Sequence, residues 1–144
     1  MRVAIMQPTW LPWMGYFDLI DQVDLFVFLD TVQFTKRSWH CRNRIKTSQG
    51  SKWISLPVSA RFSDGTNLDT AVVHAERRIR KFAKTLRQEY STAEAFETEF
   101  PALAKHLSSI THCTCLADNN IAFIHFDIGR PGITPNTARS GTLP

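Results

Sequence analysis

Residues 3–30 read VAIMQPTWLPWMGYFDLIDQVDLFVFLD, and their punctuation decides the fold class. Val3, Ala4 and Ile5 in succession predict a short buried strand over residues 2–6. Pro8, Pro12 and Gly15 then mark a loop. The two prolines fix φ and remove backbone donors, so the loop is expected to be stiff. Residues 16–21 suit a short helix, with Phe17 and Ile20 inward at a spacing of three. The run 25–29 is aromatic and aliphatic and predicts a second strand ending at Asp30. Strand, loop, helix and strand within one short stretch is the opening of a βαβ unit with a parallel pair, hence an α/β fold.

Segments 43–47 and 52–58 flank the turn-type tetrapeptide Ser48-Gln-Gly-Ser51 and predict an inserted β-hairpin. In its second arm Trp53, Ser55 and Pro57 alternate with Ile54, Leu56 and Val58, the pattern of a half-buried strand. Residues 71–73 suggest another short strand. Residues 77–90 predict a helix with Ile79, Phe82, Ala83, Leu86 and Tyr90 on one face. Ser91 and Glu94 have capping-box spacing and are expected to start the next helix, which Pro101 kinks or restarts. Thr114 is placed to cap a last helix carrying Ala117, Ile121, Ile124 and Ile128. From Gly129 the chain turns to Gly, Pro, Thr and Ser, and a disordered tail is expected. The expected organisation is one α/β domain over residues 1–128 and a tail over 129–144.

Bulk properties narrow the function classes. The chain has 144 residues, 43% apolar and 21% charged, which are globular values. No apolar run approaches the ~20 residues that span a bilayer. The N-terminus lacks the pattern of a secretory signal, so a cytoplasmic place is expected. Cys41, Cys113 and Cys115 are a poor disulfide framework and read as reduced thiols. Net charge is +4 and unevenly spread. From Thr31 to Ser63 there is no acid, while Lys36, Arg37, Arg42, Arg44, Lys46, Lys52 and Arg61 are bases. A second basic cluster is Arg77, Arg78, Arg80, Lys81, Lys84 and Arg87. Both favour an anionic partner: a nucleotide, a nucleic acid or an anionic surface.

Several constellations can carry chemistry. In open α/β sheets ligands bind at the carboxyl ends of the strands, beside helix starts. Gln7, Pro8 and Gly15 sit in such a loop, with Gly15 allowing close approach to the backbone. Trp10, Trp13 and Tyr16 can form a stacking wall there, or can simply plug the edge of the domain. Asp30 ends the second strand near the same crevice. It can orient a hydroxyl, a metal or an amine, or cap the following turn. Lys36, Arg37, Trp39, Arg42, Asn43 and Arg44 lie in a guanidinium-rich segment. Arg42 and Arg44 share a strand face with Asn43 opposed, which suggests an anion clamp. The alternative is a solvated basic surface, and this is the favoured reading of the basic helix. His112-x-Cys-x-Cys115 is half a zinc site with no second half, so no metal is expected. Cys41 sits among cations that would lower its pKa, yet no base pairs with it in the sequence. Walker A, GxGxxG and GxSxG motifs are absent, and no motif names a cofactor.

The N-terminal third resembles the WbqC-like protein family. The resemblance rests on residues 3–17, on Asp24-Leu-Phe-Val-Phe-Leu-Asp30, on Val32-Gln-Phe34, on Lys36-Arg-Ser-Trp39 and on Arg42-Asn-Arg-Ile-Lys-Thr47. It continues more weakly to Ile124. Met6 stands where the family commonly has histidine. Relatives also run beyond this chain's end, which suggests a C-terminal truncation. The resemblance implies work on activated sugars in bacterial surface-polysaccharide clusters, O-antigen among them. The loop after the first strand also looks like that of HIGH-type nucleotidyltransferases, which implies a Rossmann-like (HUP) domain. The reading that follows is a domain binding a nucleotide or nucleotide sugar in group transfer. Asp30 and Arg44 are its catalytic candidates: Asp30 would orient a hydroxyl or amine, and Arg37, Arg42 and Arg44 would clamp phosphate or carboxylate and stabilise developing charge. A nucleic-acid module using Trp39, Trp53 and Phe62, or an inactive remnant, are the alternatives.

Overall fold

Val3–Met6 forms β1, Met14–Asp21 forms α1 and Leu25–Phe28 forms β2, in the order the opening stretch predicts. A computed structural model describes residues 1–59, 65–129 and 135–143. Arg61 and Phe62 lie outside the described residues. β1 and β2 pair in parallel, Val3 against Leu25 and Met6 against Phe28. β1 is an edge strand rather than a buried one: Val3 and Ile5 point to an exposed face.

The third strand of this sheet comes from the segment expected to be disordered. Asn136–Arg139 forms β7 and pairs in parallel with β2, Leu25 against Asn136 and Phe28 against Arg139. β2 is thereby the centre of a β1-β2-β7 sheet. Composition misleads here because β7 buries little of its own. It satisfies the backbone groups of β2, which an open edge would leave unpaired, and its Arg139 meets a buried carboxylate.

Arg42–Thr47 (β3) and Gly50–Ser55 (β4) form the hairpin. Gly50, at φ +99°, lets the turn close on Ser48 and Gln49 alone, so the second arm starts earlier than predicted. Val58–Ser59 (β5) leaves this hairpin and pairs with Val72–Val73 (β6).

Three helices follow: Glu76–Tyr90 (α2), Phe96–Ser109 (α3) and Leu116–Ile128 (α4). α2 buries Ile79 and Phe82, as its periodicity predicts. α3 begins at Phe96, without a capping box from Ser91. Residues 91–95 are instead spent in tight turns, with Ala93 N donating to Tyr90 O and Phe96 N to Ala93 O. Pro101 sits inside α3, which runs through it. α4 starts after Cys115 with no side-chain cap from Thr114.

α4 is the central helix. Its Ile121, Ile124 and Ile128 pack on Tyr16, Ile20, Phe26 and Phe28 from α1 and the parallel sheet. Its Ala117 and Phe123 pack into a larger core with Trp10, Leu68, Val73, Ile79, Phe82 and Leu107. Each such large apolar side chain, fully buried, contributes roughly 1.5–3 kcal/mol. In α1 the inward pair is Tyr16 and Ile20, at a spacing of four, rather than Phe17 and Ile20. No helix among the described residues is long and apolar enough to cross a membrane.

Candidate functional site

The parallel register brings Gln7, Asp30 and Ser140 to one end of the sheet, just past the last residues of β1, β2 and β7. Asp30 is 1% exposed there. Arg139 Nε donates to its Oδ2 at 2.5 Å, and Ser140 Oγ and Gly141 N donate to its Oδ1 at 2.9 and 3.4 Å. Ser140 Oγ also accepts from Asp30 N and Thr31 N. A second arm of Arg139, Nη1, reaches Asp118 Oδ1 on α4 at 2.5 Å. Burial on its own would raise the Asp30 carboxyl. The Arg139 and Ser140 hydrogen bonds, the Arg139 charge and the Gly141 N–H outweigh it and hold the group below its usual value. Both carboxylate oxygens are therefore engaged by the returning strand.

The loop after β1 is held from four sides. Asn43 Nδ2 donates to Trp10 O at 3.3 Å and to Leu11 O at 2.5 Å. Asn120 Nδ2, from α4, donates to Pro8 O at 3.1 Å and His40 O at 2.8 Å. Gln7 Oε1 and His40 Nε2 are 2.7 Å apart. Tyr16 Oη donates to Gln7 O at 3.1 Å. Leu11 is forced to φ +52°, a left-handed conformation that costs a branched residue energy and persists only where surroundings over-determine it. Burial lowers the His40 pKa, so the ring is neutral near pH 7, and it raises that of the Tyr16 phenol.

The aromatic wall expected here is reduced to one member. Trp10 is fully buried against Phe82 and Phe123, with ring centroids 6.1 and 5.3 Å away. Tyr16 is also fully buried. Only Trp13 is exposed, and its indole lies over Gly15, where an added Cβ would stand 2.8 Å from Trp13 Nε1. The space above Gly15 is filled by indole, so the glycine admits Trp13 there. Gly15→Ala should displace that ring. Tryptophan emission should shift while stability stays within about 0.5 kcal/mol, the usual range for an exposed change. Unaltered emission would count against this packing.

The basic segment forms a distinct face beside the loop, joined to it by Trp10 N donating to Trp39 O at 2.9 Å. Lys36 and Arg37 lie in the turns before β3, Arg37 at φ +56°. Trp39 and Trp53 are half-exposed, their rings 5.8 Å apart. The guanidinium carbons of Arg42 and Arg44 lie 4.2 and 5.3 Å from the centre of the Trp53 ring. Arg42 and Arg44 thus share a face, and Asn43 turns the other way into the loop, as alternation predicts. Neither arginine has a carboxylate partner among the described residues. Across β4 a groove of about 80 Å³ is lined by Lys52, Trp53, Arg78 and Lys81. Folding therefore brings both basic clusters to Trp53, although the helix cluster reads as plain solvated surface in the sequence.

The cysteines have other duties. Cys41 is buried, donating to Ser38 O, and burial raises its pKa against the opposing pull of the Arg37 hydrogen bond and the Arg42 charge. The expected lowering by neighbouring cations is overridden. Cys113 and Cys115 donate to the carbonyls of Cys115 and Asp69.

Sequence reasoning misses His40, Asn120, Arg139 and Ser140. His40 lies within the flagged basic segment, so its position was in view, but its pairing with Gln7 spans 33 residues. Asn120 sits at a helix position that periodicity marks only as polar.

No solved structure matches the chain. A segment of 60 residues is 57% identical to the uncharacterized protein Rv1507c of Mycobacterium tuberculosis, covering 42% of this chain and 26% of that one. The model of the WbqC-like protein family matches residues 7–144, including the tail where a departure from relatives was expected. With the motif-bearing loop, the hairpin and the returning strand all inside that match, the chain belongs to the WbqC-like protein family.

Proposed function

We propose that this α/β domain binds a nucleotide or nucleotide sugar through its phosphates on the Trp39–Trp53 face. On this reading it acts in group transfer during bacterial surface-polysaccharide biosynthesis, in the cytoplasm. The observation that carries the reading is the pair of guanidinium groups of Arg42 and Arg44 over the Trp53 ring, with no carboxylate partner among the described residues, beside a groove lined by Lys52, Arg78 and Lys81. Guanidinium groups pre-oriented on a ring lose little freedom when they take up phosphate in bidentate fashion. The exposed rings of Trp39 and Trp53 offer a surface for a base or sugar. The parallel sheet followed by a proline-rich loop and a helix agrees with a Rossmann-like framework. The family's association with O-antigen clusters supplies the sugar chemistry.

Titration of tryptophan emission with ATP and a panel of nucleotide sugars tests this. One of them should bind, and Arg44→Ala should weaken it by more than about 1 kcal/mol, as loss of a charge-assisted hydrogen bond does. An unchanged affinity in the folded variant removes Arg44 from the site. The paired exposed tryptophans also favour a second reading, a single-stranded nucleic-acid surface. Binding of RNA that falls steeply with salt, with no response to mononucleotides, selects that reading.

A further inference from the structure

At the C-terminal end of α2, a pocket of about 310 Å³ opens between α2, α3 and the end of α4. Its walls include Leu86, Tyr90, Phe96, Phe100 and Phe126. Phe96 and Phe100 stack at 4.6 Å, which fixes one wall. This volume is at the low end for small-molecule pockets, enough for one ring and a short chain.

Besides the exposed Glu99, Asp127 lines the pocket, and it is partly buried. Burial alone pushes its carboxyl up to about 6, and no hydrogen bond or ion pair is found for it among the described residues. It stands in the last turn of α4, where the helix dipole already presents negative charge. A carboxylate there opposes both the dipole and desolvation, and it contributes nothing to holding α4 in place. The same two features make the spot attractive to a cation.

We propose that this pocket binds an organic cation with an apolar body, a small-molecule ammonium carried on an aryl or branched alkyl group, with Asp127 as its counter-ion. The aromatic and aliphatic walls take the body, and the carboxylate takes the ammonium. The site is separate from the Trp53 face and does not depend on the reading given to it.

The test is calorimetric titration of the full chain at pH 7.5 with phenethylammonium and with its near-isostere 2-phenylethanol. Phenethylammonium should bind at least tenfold more tightly. Asp127→Asn should abolish that preference while leaving 2-phenylethanol binding and the thermal midpoint undiminished, since the residue holds nothing together. Phe96→Leu keeps a hydrophobic wall and should weaken both ligands alike. Arg44→Ala should change neither. Equal binding of the two ligands, a preference that survives in Asp127→Asn, or no binding of either at millimolar concentration would each overturn the proposal.

Discussion

Arg139→Ala should lower folding stability by about 3 kcal/mol or more at pH 7, the cost expected when one partner of a buried ion pair is removed. The residue left behind decides the size of the effect. Asp30 is 1% exposed and would keep only the Ser140 and Gly141 donors. Asp30→Ala should cost less, because Arg139 is a third exposed and still reaches Asp118. The double variant should cost less than the sum of the two, by the coupling between groups in one network. Urea unfolding of the four proteins measures this, and a loss below about 1 kcal/mol in Arg139→Ala would falsify the anchoring role.

The pair also sets an acid limit. The folded pKa of Asp30 is lowered, so its contribution is complete above the ordinary carboxylate range near ~4 and is lost as pH falls through the lowered value. Arg139→Ala should flatten that loss. Asp127 acts with the opposite sign: its pKa is raised to about 6, so its penalty grows as pH rises towards 6 and is complete above it. Repeating the acid series in Asp127→Asn removes that opposing contribution.

Trp10→Ala should cost about 3–5 kcal/mol, the range for removing a large aromatic from a packed core. Trp10 is fully buried, and the cavity would open against Phe82 and Phe123. Trp53→Ala is the contrasting substitution. Its ring is half-exposed and packs on Trp39 and two guanidinium groups, so stability should fall by about 1–2 kcal/mol, less than for Trp10, while ligand affinity on the basic face falls. A stable, folded Trp10→Ala that loses ligand would return Trp10 to the binding wall suggested by its place in the loop. Trp10→Phe, which keeps most of the volume, should fold and bind normally.

These two expectations turn on residues the sequence reads differently. Trp10 and Trp13 stand three apart in one loop and look alike as candidate stacking surfaces. One is in the core and the other in solvent, because Asn43 and Asn120 pull the loop backbone down at residues 8–11. Arg139 falls in a stretch whose composition predicts disorder. It is ordered by the backbone groups of β2 and by the charge of Asp30, neither of which has a trace in the local sequence. The spacing of Ser91 and Glu94 predicts a cap that is not formed, since the chain needs those residues to turn between α2 and α3.

By itself the sequence determined the parallel β1-α1-β2 opening, the hairpin, the inward face of α2, the buried isoleucines of α4, the shared face of Arg42 and Arg44, and the family. All of these follow from periodicity, turn chemistry or short motifs, which act between neighbours along the chain. Only the tertiary structure decided that β7 completes the sheet, that Arg139 closes on Asp30 across 109 residues, that Asn120 holds Pro8 across 112, and that two separate basic clusters meet at Trp53. The first three share one reason. A buried polar group must find a partner wherever the packed chain supplies one, and its position along the sequence carries no mark of which partner that will be.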